Sequence, residues 1–246
     1  MSKEKAELML DALRKFNRKE RYHLIRKVVI GRPMGLQDDF KKSLESELGI
    51  RIPQNPYVAM DYHLDWISAA YHLGSKGVVV EDAVRESRRY SNYPGQQEDG
   101  LPLLSGNQED VDLLVAFREK DQVVLILIEA KLDSGWSGEQ LASKGNRLDA
   151  IFKKGQASSS LVRPYFVLMG PSRSDEKSMG FDDNSIDQCP TWFFRGKKSA
   201  GNLFFVPLNP DVPLYAPTRK KNDDDNSERY SNWIVQKRLV SDRDGE

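Results

Sequence analysis

A single cysteine, Cys189, stands in 246 residues, which excludes an internal disulfide and fits a chain that folds in a reducing cytoplasm, the expected location. No stretch approaches the roughly 18 apolar residues of a membrane-spanning helix, and the N-terminus lacks the apolar core of a secretory signal, so neither insertion nor export is expected. Excess charge of one sign is also missing. With 37 basic against 37 acidic residues, the chain has no global cationic signature of a nucleic-acid binder, and the distribution of charge has to decide instead. There is no G-x-x-x-x-G-K-[ST] phosphate loop, no G-x-S-x-G elbow, no zinc-type Cys/His spacing and no internal repeat, which disfavours ATP-driven and serine-nucleophile mechanisms. His63 and His72 lack a second ligand cluster and read as structural.

What is present is a polar globular chain, 39% hydrophobic and 30% charged, long enough to bury its own core as one domain or two. Its most informative part is DVDLLVAFREKDQVVLILIEAK, residues 110–131. The apolar run 123–128 reads as a strand buried on both faces that ends abruptly in Glu129, Ala130 and Lys131. Its partner is VDLLVAF, residues 111–117, and the charged stretch between them has the length of a hairpin loop. Symmetry about 119–122 places Asp112 opposite Glu129 and Asp110 opposite Lys131.

Opposed side chains share a face about 5 Å apart, so an Asp/Glu pair there calls for neutralisation. A hard divalent cation is one answer, because Mg²⁺ takes one or two carboxylates and keeps several waters. Lys131, two residues beyond Glu129 and so on the same face, then stands where it can hold or help deprotonate one of those waters. The other answer is structural: charges commonly close a strand at solvent, and Lys131 can form a surface ion pair with Asp110 or Glu129.

An acid opening one strand and a second strand ending in Glu-x-Lys resembles the core motif of the PD-(D/E)XK nuclease superfamily, over residues 110–152. The resemblance implies a restriction-endonuclease-like α/β fold, with a small mixed central sheet flanked by helices and, here, a helical N-terminal region. It implies metal-dependent phosphodiester hydrolysis, usually in DNA, with Mg²⁺ (or Mn²⁺) held by Asp112 and Glu129, the Ala130 carbonyl as a further ligand, and Lys131 assisting the attacking water. Val111 replaces the proline that often precedes the aspartate, and Lys144 stands where one branch has tyrosine. Gln140 matches the glutamine many members carry on the next helix. It also completes an S-x-x-Q capping box begun at Ser137, and both roles stay open. Members often add an acid from a helix before the first motif strand, for which Asp65, in LDWIS, is preferred to Asp61. A catalytically inactive nuclease-like module that binds nucleic acid or a partner protein is the alternative.

Around this motif, residues 1–75 are expected as a helical region packed on an α/β core of residues 76–246, the whole forming one compact unit. Leu8, Leu10, Leu13 and Phe16 mark one helix, and Phe40, Leu44 and Leu48 before Gly49 another. Met60, Leu64, Ile67 and Tyr71 fit a helix within 57–73. Tyr165 to Met169 reads as a strand, followed by a polar loop through about Cys189, then strands at 192–194 and 203–206. A mobile loop is expected over 218–228, and Trp233, Ile234, Leu239 and Val240 suggest final packing near the end. Residues 14–32 hold eight cations against Glu20 alone, with Phe16 and Tyr22 interleaved, as a phosphate-binding surface or as a solvated helix face. Arg85, Arg88, Arg89, Tyr90 and Tyr93 carry the same ambiguity. Cleavage of both strands of DNA would call for two sites and hence a homodimer.

Overall fold

The chain opens in helices because its apolar residues recur at helical spacing. In α1 (Ser2–Phe16) Ala6, Met9, Leu10 and Leu13 form the buried side. Helix α2 (Glu20–Leu24) runs on into a π-helical turn, Ile25–Ile30, which Gly31 stops in the left-handed conformation. Helix α3 (Asp38–Leu48) starts where the Gln37 side chain accepts the Phe40 N–H at 2.9 Å and ends at Gly49, also left-handed. This computed structural model describes residues 2–93, 102, 104–106, 109–132, 137–153, 161–171, 181, 183–208, 214–220 and 232–238.

Residues 57–73 correct the expected single helix. Tyr57–His63 is a strand, β1, and helix α4 begins only at Leu64 and runs to Lys76. The spacing of Met60, Leu64, Ile67 and Tyr71 suits a helix, but hydrogen bonding to the next strand overrides it. His63 performs the change of structure: its Nδ1 accepts the Asp65 N–H at 3.2 Å and caps α4. There follow α5 (Val80–Arg85), β2 (Asp110–Glu119), β3 (Gln122–Ala130), α6 (Gly138–Lys153), β4 (Val162–Gly170), α7 (Asp183–Gln188), β5 (Phe204–Pro207), β6 (Leu214–Lys220) and β7 (Asn232–Arg238). Helix α7 occupies part of the expected loop before Cys189, and Thr191–Phe193 is a 3-10 turn rather than a strand, joined to Leu203 by a single bridge at Phe194.

Strands β1 to β5 lie in sequence order in one mixed sheet, β1/β2/β3 antiparallel and β3/β4/β5 parallel. The fold is thus α/β, a five-stranded mixed sheet flanked by helices with a helical N-terminal region. Residues 1–75 supply the edge strand β1 as well as helices. Val123 to Ile128 are fully buried in β3, each contributing about 1.5–3 kcal/mol. Leu114, Leu125, Leu127 and Phe166 face the core shared with α1, α4 and α6, while Val115, Ile126 and Val167 face the core with Leu44 and Leu48 of α3. A methyl at Gly74 would meet the Met9 side chain at 2.6 Å, so the close crossing of α1 and α4 requires glycine there. Strands β6 and β7 pair apart from this sheet.

Candidate active site

The hairpin has the register the symmetric loop predicts, with pairs from Leu113 opposite Ile128 to Glu119 opposite Gln122. At its open end the strands part. Asp112 sends its side chain across the gap, and Oδ2 accepts the Ala130 N–H at 2.6 Å, replacing the next ladder bond. The Lys131 N–H bonds the Met169 carbonyl of β4 at 2.8 Å, so Lys131 follows the parallel half of the sheet and does not oppose Asp110. Asp110 instead pairs with His63 on β1, and its carboxylate accepts from Lys19 Nζ at 2.8 Å.

Where β3 ends, a cavity of about 290 Å³ is lined by Asp110, Glu129, Lys131, Gln140, Lys144 and Phe166, among others. Glu129 lines it because the alternation of β3 turns this residue toward the α6 side with Leu125 and Leu127. The Lys144 ammonium reaches its Oε2 at 2.5 Å and the Asp110 carbonyl at 2.8 Å, while Lys131 Nζ lies 3.8 Å from Oε1. Burial pushes the Glu129 carboxyl above the usual range. Lys144 pulls the other way without cancelling that shift, and the nearby negative charge of Asp112 adds to the rise.

Asp112 does not line this cavity, but it reaches the same strand end through Ala130. The pairs Met60–Leu113 and Tyr62–Val111 place Asp61 across from Asp112 on β1, so Asp61, Asp112 and Glu129 occupy one row over three strands. The backbone of Asp61 is left-handed (φ 48°), and its carboxylate meets Arg21 at 3.4 Å. Asp61 therefore stands in strand β1, three residues before α4 begins.

Asp65 is placed elsewhere, in a closed clasp. Its Oδ1 accepts from the Ser105 N–H and hydroxyl at 3.0 and 3.1 Å and from Arg147 at 2.7 Å, and its Oδ2 accepts the Gly106 N–H at 2.9 Å. Burial works to raise this carboxyl, and the Ser105, Gly106 and Arg147 donors outweigh it and hold the group below its ordinary range. Arg147 also donates to the Pro102 carbonyl. The clasp ties α4, α6 and the segment before β2 together.

At Gln140 only half of the capping box forms. Ser137 Oγ accepts the Gln140 N–H, at a long 3.5 Å, while no reciprocal bond to the Ser137 N–H forms among the described residues and the Gln140 side chain stands exposed at the cavity. Lys144 and Arg147 are the residues sequence reasoning missed. Their signal was available: α6 turns Leu141, Leu148 and Ile151 to the core, and Lys144 and Arg147 fall on that same stripe. The aromatic residues of 14–32 turn inward, Tyr22 fully, and the cations engage locally, Arg18 over the Trp66 ring and Lys19 on Asp110. Arg85 and Arg88 pair with Asp82 and Glu86, and Tyr90 packs on His72.

The oxygen donors that an oxygen-preferring cation would take at this strand end are the Asp112 and Glu129 carboxylates. Among the described residues no group of three or more His, Cys, Asp and Glu side chains is placed to hold an ion, so water would complete any coordination shell. None of the helices formed by the described residues is long and apolar enough to cross a membrane. Comparison with protein-family models, with curated proteins and with solved structures yields no match, and the functional reading rests on the residues alone.

Proposed function

We propose that the chain is a metal-dependent nuclease that hydrolyses phosphodiester bonds, with DNA as substrate. The observation that carries this reading is the meeting of Glu129, Lys131 and Lys144 in one cavity at the end of β3, one residue from the Asp112–Ala130 bond. Strand β3 and its neighbour β4 are parallel, and α/β proteins place their ligands outside the carboxyl ends of such strands. The first turn of α6, with Ser137 and Gln140, lines the same cavity, so the positive end of a helix dipole faces the space an anionic phosphate would enter.

Asp112 and Glu129 would hold the cation, Mg²⁺ or Mn²⁺. When bound, it would acidify a coordinated water and stabilise the charge that develops on the phosphate. Lys131 orients the attacking water and supports its loss of a proton. Lys144 and Lys131 are the two cations that would meet a phosphate in a cavity whose lining also holds Glu109, Asp110 and Glu129. Burial raises the affinity of Glu129 for protons, and carboxylates perturbed in this way are common at functional sites.

One observation favours a second reading, a nuclease-like binding module without catalysis: the 2.5 Å contact of Lys144 with Glu129 already neutralises the carboxylate. Cleavage of supercoiled plasmid and linear duplex in Mn²⁺, Mg²⁺ or chelator, with wild type and Lys131→Ala compared, separates the two. Cutting that requires metal and falls by about 10² in the variant is expected. Undiminished cutting by Lys131→Ala overturns the mechanism, and no cutting or metal uptake by wild type selects the binding module.

A further inference from the structure

The β6–β7 ribbon carries a pattern that the core site does not use. Opposed residues of an antiparallel pair share a face, and here Tyr215 stands opposite Lys237, Pro217 opposite Val235 and Arg219 opposite Trp233. Tyr215, Trp233 and Val235 are 62%, 67% and 60% exposed, which corrects the expectation that the chain end packs inward through Trp233. Leu239 and Val240 lie outside the described residues. One face of the ribbon thus sets an aromatic residue against a cation at each end, with Pro217 and Val235 between them. A two-stranded ribbon is marginal alone in water, and a contiguous exposed apolar face marks an interaction surface.

The charge identifies the occupant. The fourteen strand residues include Arg219, Lys220, Lys237 and Arg238 and no carboxylate. Asp223, Asp224, Asp225 and Glu228, which balance them in the sequence, belong to the segment between the strands. A second copy docked face to face would bring together two ribbons that each carry four cations and no carboxylate, and would supply no counter-charge to either. A polyanion complements the face, and nucleic acid is the one whose bases also stack on aromatic rings while its phosphates meet Lys and Arg. The major groove, about 12 Å wide, accepts a two-stranded ribbon.

We infer that the β6–β7 ribbon is a nucleic-acid docking surface, with Arg219 and Lys237 on phosphates and Tyr215 and Trp233 on bases or sugars. The inference deepens the nuclease reading and rests on it for the identity of the substrate. Its test is binding of a fluorescein-labelled 20-base-pair duplex and of a 20-nucleotide single strand, by anisotropy across a salt series with chelator present. The parent is the full chain carrying Lys131→Ala.

Arg219→Glu with Lys237→Glu should weaken binding at least tenfold and flatten the salt dependence by about two phosphate contacts. Trp233→Ala should weaken it about fivefold or more. The charge-keeping pair Arg219→Lys with Lys237→Arg should bind like the parent, which separates loss of charge from loss of structure. Binding by the parent that both the charge reversals and Trp233→Ala leave intact overturns the inference and spares the nuclease reading. Absence of binding by the parent also overturns it, and plasmid cleavage by wild type then judges the nuclease reading by itself. Binding to vesicles of acidic phospholipid but to neither nucleic acid overturns it in favour of a membrane surface.

Discussion

Helix α6 brings two cations to two carboxylates, and the two pairs end in opposite states. Arg147 joins Asp65, whose oxygens also take the Ser105 and Gly106 donors, and the carboxyl is held below its ordinary range. Lys144, one turn earlier, joins Glu129 at 2.5 Å, and that carboxyl is nevertheless pushed up by burial. The difference lies in the number of donors. Asp65 is satisfied by protein groups on both oxygens, whereas Glu129 faces two ammonium groups across a cavity and receives no backbone N–H among the described residues. A closed network stabilises the fold, and an incompletely satisfied one retains affinity for a ligand.

Removing Asp65 should produce the larger effect on stability. Asp65→Ala leaves the Arg147 guanidinium, 7% exposed, without its carboxylate, and should cost about 3–5 kcal/mol in urea unfolding at pH 7. The pH dependence follows from the lowered pKa. Such a group stabilises the fold above the unfolded-state value, near 3.8, and the contribution is lost as pH falls through the lower folded-state value. The gap between wild type and variant should therefore close in acid. A cost at pH 7 below about 1 kcal/mol would break the comparison at its closed end.

At the open end the next largest effect is on metal uptake. The Lys144 ammonium sits on the Glu129 oxygen that a cation would share, so Lys144→Met should tighten Mn²⁺ binding about tenfold in calorimetry, equivalent to about 1.4 kcal/mol. Lys144→Arg, which keeps the charge, should bind no tighter than wild type. Arg147→Met belongs to the clasp and should destabilise the fold while leaving Mn²⁺ affinity unchanged. Weaker Mn²⁺ binding in Lys144→Met would make this lysine a supporter of the site rather than a competitor for it.

The parts of the molecule legible in sequence were those set by short-range periodicity. The symmetric loop points to the hairpin register that is observed, whereas the run 123–128 alone does not choose it, because its residues are buried on both faces of the sheet. Leu44, Leu48 and Gly49 mark α3 at the same short range. Residues 57–73 were illegible at this level, since a helical spacing of apolar residues spans a strand and a helix whose border depends on pairing with β2, about 50 residues away. Asp65 was correctly singled out as an inward-facing acid, yet its partner Arg147 lies 82 residues away, and local context could not tell a clasp from a cation site. Lys144 is a misfit visible in the sequence, a charge on the apolar stripe of α6.

The smallest expected effect is also the one most specific to the open site. In the folded chain Glu129 binds its proton more tightly than its ordinary value of 4.5 allows, so between that value and the folded-state value the native state holds more protons than the unfolded state. Stability of the wild type then declines as pH rises through this window, the reverse of the trend at Asp65. Glu129→Gln removes the titration while keeping the shape, and in chelator it should remain within about 1 kcal/mol of wild type at pH 7. Its standing relative to wild type should improve between pH 4 and pH 7, read by urea unfolding at each pH. A variant that loses ground over that interval would mean that the Lys144 contact outweighs burial, and that both cations of α6 hold clasps of the same kind.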